Sequence, residues 1–203
     1  MIRMNKVQKD RDRNMQYIKG IENYQNEKPV AITLGKFDGL HLGHELLIER
    51  VKEHQRNDGV DSVVFAFDMG PFYEKMNKTY ERLLTNEEKA MRLNGRVDYF
   101  VECPFVDCIS KIEAEDFIKK ILVDIFHAKY IVVGTDFHFG YQRRGDIHML
   151  EEYSKVYGYQ LEVVEKKQYH GREISSTFIK EELKKGNFDM VNELLGYTYK
   201  EIE

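Results

Sequence analysis

Two imidazoles three residues apart, His41 and His44, close the segment Gly35-Lys36-Phe37-Asp38-Gly39-Leu40-His41-Leu42-Gly43-His44. Glycines let a backbone approach a phosphate, and imidazoles donate hydrogen bonds to the same anion. At a strand-to-helix turn the two rings face one side, and Gly43 keeps the space between them free of side chain. That pattern suits a triphosphate. Downstream, Ser175-Ser176-Thr177 offers hydroxyls, free backbone N–H groups and the positive end of a helix dipole to the outer phosphates, with the charge of Lys180 one turn on. The glycine-flanked run Asp136-Phe137-His138-Phe139-Gly140, followed by Tyr141, Arg143 and Arg144, could stack a ring and hold its phosphate. Phe67-Asp68-Met69-Gly70-Pro71 is the fourth motif. Taken alone, Ser-Ser-Thr is simply a good N-cap and alternating aromatics are core residues; the His-x-Gly-His upstream gives them meaning. Nucleotidyl transfer is the chemistry this set would serve. It depends on positioning and electrostatics, and a phosphate acceptor with a second pKa of about 6 needs no strong base.

These motifs need strands to carry them. Val30–Leu34, Ser62–Phe67, Val97–Val101, Tyr130–Val133 and Gln160–Val164 read as five strands. Helices are expected from Gly43 to about Asn57, from Thr85, over Ile112–Phe126 and Arg143–Tyr157, and as two short C-terminal helices, Ser175–Lys185 and one ending at Leu195. The alternation predicts an α/β fold, doubly wound around a mainly parallel five-stranded sheet. Such sheets bind ligands at strand carboxyl ends, where the strand order reverses. Residues 1–14 mix basic and acidic side chains without apolar period and read as a disordered extension, leaving residues 15–203 as one domain.

Composition narrows the classes. With 203 residues, 42% apolar content, 33% charged residues and a net charge of -4, the chain builds an ordinary core and no basic field for nucleic acid. No run of about 18 apolar residues and no secretion signal appears, so the expected setting is the cytoplasm without membrane contact. Cys103 and Cys108 lack CxxC spacing and read as free thiols. His54, His127, His148 and His170 show no ligand spacing, and no protein metal site is expected.

Together the four motifs, with Arg82-Leu83-Leu84-Thr85, Lys89, Glu115-Asp116-Phe117, Gly145-Asp146 and Gly186-Asn187-Phe188, resemble the FMN adenylyltransferase (FAD synthetase) module of the bacterial bifunctional riboflavin kinase/FAD synthetase family, in the HxGH nucleotidyltransferase superfamily with its Rossmann-like fold. The resemblance runs from about Met15 to Tyr199. It implies transfer of AMP from ATP to FMN, giving FAD and pyrophosphate with Mg²⁺. It also implies roles: His41, His44 and Lys180 catalytic; Gly35, Phe37, Asp38, Gly39, Gly43, Ser175, Ser176 and Thr177 on ATP; Phe67, Asp68, Pro71, Asp136, Phe137, His138, Phe139 and Arg143 around the flavin. Three positions depart from the family pattern: Lys180 and His138 stand where arginine is usual, and Met69-Gly70-Pro71 replaces Pro-His-Pro. The family's riboflavin kinase domain would begin beyond Tyr199 and is expected to be absent. Two alternatives stay open, another phosphorylated acceptor and a degenerate nucleotide- or flavin-binding regulator.

Overall fold

In the computed structural model, which describes residues 14–199, strands and helices alternate along the chain. β1 (Gln16–Lys19) precedes β2 (Val30–Gly35), and α1 (Leu42–Asp58) returns the chain to β3 (Asp61–Asp68). The short α2 (Gly70–Lys75) and α3 (Asn86–Leu93) lead to β4 (Tyr99–Pro104). After α4 (Asp107–Ser110), α5 (Ala114–Asp116) runs on as a π-helix over Phe117–Ile125. Then come β5 (Ala128–Gly134), α6 (Ile147–Tyr157), β6 (Gln160–Val164), a hairpin of β7 (Gln168–Tyr169) and β8 (Arg172–Glu173), and finally α7 (Ser176–Lys184) and α8 (Phe188–Leu195).

One parallel sheet holds six strands in the order β1-β4-β3-β2-β5-β6. All five expected strands form. The sixth, β1, corrects the count: it is four residues long, sits on the sheet edge and is half-exposed, too short for alternation to stand out. From β2 the chain winds outward through β3 and β4, then crosses back to β5 and β6. Strand order therefore reverses between β2 and β5, and their carboxyl ends frame a crevice.

Each strand sends alternate residues to opposite faces. Ile32, Phe65, Val101 and Ile131 pack beneath Phe117, Ile118, Ile121 and Leu122 of the π-helical turn. On the other face Val51 of α1 covers Ala31 and Val132, while Ile48 joins Val64, Phe100 and Leu93 of α3. Ile48 and Val51 are fully buried, each stabilising the fold by about 1.5–3 kcal/mol. A third cluster ties α7 and α8 together through Ile179, Val191 and Leu194, with Leu83 from the loop before α3.

Thr85 caps α3 with the expected capping box: its side chain accepts from Glu88 N, and Glu88 reaches back to Thr85 N. Two helix boundaries move. The helix expected from Ile112 begins at Ala114 and widens to a π-turn, a change of hydrogen-bond register that apolar spacing does not encode. The helix expected from Arg143 begins at Ile147, because the Asp146 carboxylate accepts from Met149 N (3.0 Å) and caps it there. Cys103 is buried and Cys108 exposed, both unbridged. Apart from Asn14, the expected extension lies outside the described residues. Among the described residues no helix is long and apolar enough to cross a membrane.

Candidate active site

The connection from β2 to α1 is backbone-strained. Phe37 (φ 48°) and Leu40 (φ 40°) occupy the left-handed region without being glycine, and Gly39 (φ 88°) lies between them. A side chain at Gly39 would also press to 2.7 Å from Leu83. Strain of this kind persists only where surrounding groups fix it. Here they come from four segments. Lys89 of α3, itself buried, donates from Nζ to the Lys36 carbonyl (3.2 Å). Leu83 N donates to Asp38 Oδ1 (2.7 Å), Ser176 Oγ to the Asp38 carbonyl (2.7 Å), and Tyr197 Oη to the Gly39 carbonyl (2.6 Å). The Lys180 ammonium pairs with Asp38 Oδ2 (2.5 Å) and also donates to the Glu81 carbonyl (2.6 Å).

That loop delivers His41 as the N-cap of α1. Its Nδ1 accepts from Gly43 N (3.2 Å), so the proton sits on Nε2. The His44 ring stacks on it with centroids 3.7 Å apart, and Phe37 lies 5.0 Å behind His44. A Cβ at position 43 would meet the His41 ring at 3.1 Å, which accounts for the glycine there. Burial pushes the His41 pKa down to about 4 despite the opposing field of Asp38. Burial, then the neighbouring His41 and Lys89, hold His44 well below the ordinary histidine range. Both imidazoles are neutral at pH 7. His44 Nδ1 is buried without a hydrogen-bond partner.

Facing them is the start of α7. Ser175 caps that helix by accepting from Phe178 N (3.2 Å), and Ser176 Oγ is spent on the Asp38 carbonyl. Thr177 is exposed, and its hydroxyl has no hydrogen-bond partner among the described residues. The three hydroxyl residues thus divide into a cap, a tie and an open donor. From the third side comes the loop after β5. Phe139 is buried, packs on Phe117 and Phe137, and pairs its backbone with Gly145. Gln142 and Arg143 follow at φ 55° and 59°, a strained turn that aims Arg143 back toward the crevice.

These parts enclose a cavity of about 410 Å³ at the switch point of the sheet. It is lined by Gly35, Phe37, His41, Gly43 and His44, by Phe67, by Asp136, Phe137, His138 and Arg143, and by Ser175, Ser176 and Thr177. Six expected residues stand elsewhere. Phe139 is core, where it anchors the aromatic loop from behind. Asp38 and Gly39 are buried within the β2–α1 loop, and Lys180 is the cation that neutralises Asp38. Asp68 and Pro71 line a separate open groove of about 470 Å³ with Glu74, Lys78, Tyr80 and Arg82. Conversely, Lys36, Val164, Glu165, Lys166 and Ile174 line the cavity without having been singled out. Lys166 bridges Asp136 and Glu173 (2.8 Å each), tying the aromatic loop to the strand before α7. A helix-cap or strand-end position gives no sequence signal for that contact.

Fold and cavity together define a Rossmann-like α/β protein with its crevice at the β2/β5 switch point. A family model for FAD synthetase matches residues 23–178, and the chain belongs to that family. It is 32% identical to the bifunctional riboflavin kinase/FMN adenylyltransferase of Buchnera aphidicola subsp. Acyrthosiphon pisum, over 91% of this chain and 60% of that protein. The Pseudomonas fluorescens enzyme of the same description is 30% identical over 92% and 60%. The chain thus spans about 60% of the length of these relatives. Among solved structures, a macrolide-efflux protein from Streptococcus pneumoniae superposes with a TM-score of 0.77 at 23% identity, covering 91% of this chain and 63% of its own. A pantoate-beta-alanine ligase from Francisella tularensis reaches 0.53 at 13% identity, covering 90% and 78%. These two likenesses concern the fold alone.

Proposed function

We propose that this chain transfers AMP from ATP to FMN, releasing pyrophosphate and forming FAD. The observation that carries the reading is the pair of neutral, stacked imidazoles at the start of α1, facing the α7 N-terminus across one cavity. In that arrangement His41 donates a hydrogen bond from Nε2–H to an oxygen of the α-phosphoryl group, and His44 supports the ring it stacks on. The open Thr177 hydroxyl and the free N–H groups at the α7 start receive the outer phosphates. Phe67 and Phe137 flank the acceptor's ring system, and the acceptor phosphate, ionised near neutral pH, attacks without a protein base. Fixed donors aimed at the charge that develops lower the barrier.

A divalent cation belongs to this chemistry, and we take it to be Mg²⁺ arriving with ATP. Among the described residues no group of three or more His, Cys, Asp or Glu side chains could hold a metal. Asp38 and Asp136 are each engaged by a lysine. Such a lining fits a cation carried on substrate phosphates and water rather than a resident one. Bound there, it would neutralise charge on the polyphosphate. FMN as acceptor and a cytoplasmic setting follow from the same reading, the latter supported by the unbridged cysteines. A different phosphorylated acceptor is the second reading, favoured by the placement of Asp68, Pro71 and Phe139 off the cavity wall. The test is an endpoint assay of the purified chain with ATP and Mg²⁺, with FMN or riboflavin in separate reactions. FAD and pyrophosphate from FMN alone are expected. ATP binding without FAD from either acceptor would overturn the assignment of FMN.

A further inference from the structure

The family pattern directs attention to the cation on α7, yet in this chain that cation is committed. Lys180 is satisfied by the buried Asp38 carboxylate and by the Glu81 carbonyl, and it is not part of the cavity wall. Three other cations are, and one of them, Lys166, is committed to Asp136 and Glu173, leaving two. Lys36 lies at the mouth of β2, exposed, with its carbonyl fixed by Lys89 and its ammonium without an ion-pair partner among the described residues. Arg143 reaches the same cavity from the strained turn after β5, and it too lacks a carboxylate partner among the described residues. Its neighbour His138 offers no compensation. His138 Nδ1 sits 2.9 Å from the Asp136 carbonyl, an acceptor only, so that nitrogen carries the proton and cannot accept from Arg143 at 3.3 Å.

From this geometry we infer that Lys36 and Arg143 form a two-cation clamp for a phosphate oxyanion, one jaw at the carboxyl end of β2 and the other on the loop after β5. Lys180 is a structural tie instead. Two like charges facing one cavity, neither in an ion pair among the described residues, repel each other in the empty site and are both satisfied when an anion enters. Desolvation of its side chain, then the fields of Arg143 and Lys180, hold the Lys36 pKa below its ordinary value against the opposing field of Asp38. The ligand is a phosphate ester or polyphosphate: the ATP polyphosphate or the monophosphate of the acceptor. The inference rests on the proposed adenylyl transfer for the identity of those ligands, but its test reads binding rather than turnover.

Titration calorimetry of the wild type, Lys36→Met, Lys36→Arg and Arg143→Met with ATP, FMN and inorganic pyrophosphate separates the cases. Because the structural work at position 36 is done by the backbone, Lys36→Met should keep the wild-type melting temperature. It should weaken binding of ATP and pyrophosphate, or of FMN, by about tenfold or more, the worth of one charge-assisted hydrogen bond. Lys36→Arg should restore most of that loss, and Arg143→Met should weaken the same ligand. Loss confined to ATP and pyrophosphate places the clamp on the polyphosphate; loss confined to FMN places it on the acceptor phosphate. Affinities within twofold of wild type for all three ligands, or a wild type that binds none of them, would overturn the clamp. A wild type that binds ATP and FMN but makes no FAD would overturn the proposed reaction and leave the clamp standing.

Discussion

At the scale of single residues the site is governed by charge states. His41 and His44 are kept neutral by burial, and the cap contact to Gly43 N fixes which His41 nitrogen carries the proton. Stability should carry the mark of that. Between its ordinary value near 6.5 and about 4, the unfolded chain takes up a proton at His41 that the folded chain refuses. Stability is therefore full above pH 6.5 and falls by up to roughly 3 kcal/mol as the pH drops toward 4. Melting curves of wild type and His41→Gln at pH 7 and pH 5 check this: the variant should lose less than the wild type on acidification. Lys180 makes a different prediction. Replacing it by methionine leaves Asp38 buried with its partner gone, at a cost of roughly 3 kcal/mol, or about 6–12 °C in Tm. A Tm unchanged in Lys180→Met would show that the pair does not hold the loop.

Among elements, two loops carry strain and each is held by packing from behind. The aromatic loop is anchored by Phe139, whose ring leaves no room at Gly145: a Cβ there would lie 2.5 Å from Phe139 Cε2. Gly145→Ala should cost about 1–3 kcal/mol by overpacking and shift the turn that carries Arg143. Reduced Tm together with weaker ATP or FMN binding is expected; normal binding at lower Tm would uncouple the turn from the cavity. This scale also shows what local sequence reveals. The imidazole pair, β2 and α1 were legible because cap, apolar run and motif lie within some thirty consecutive residues. The burial of Phe139 was not, since alternating aromatics look alike whether they face a ligand or a core. Nor was the π-turn after α5, or β1, whose pairing with β4 spans most of the sheet-forming chain.

For the whole molecule, long-range ties decide how much a local motif can show. Lys180 meets Asp38 across 142 positions and Ser176 meets the Asp38 carbonyl across 138, so the strained β2–α1 loop is completed only when α7 docks. A motif scan finds the parts but cannot tell a ligand-facing serine or lysine from one that fixes the loop. Lys36 gives no local signal for the converse reason: it stands inside a glycine-rich motif, and only the fold brings Arg143 to the same cavity. The central claim is that the imidazole pair at the β2/β5 switch point is the phosphoryl-transfer centre. Steady-state FAD formation by His44→Ala, with its melting temperature measured alongside, tests that most directly. A fall in kcat of about tenfold or more, roughly 1.4 kcal/mol of transition-state stabilisation, with the fold retained is the predicted result. Wild-type kcat in a folded His44→Ala protein would contradict it.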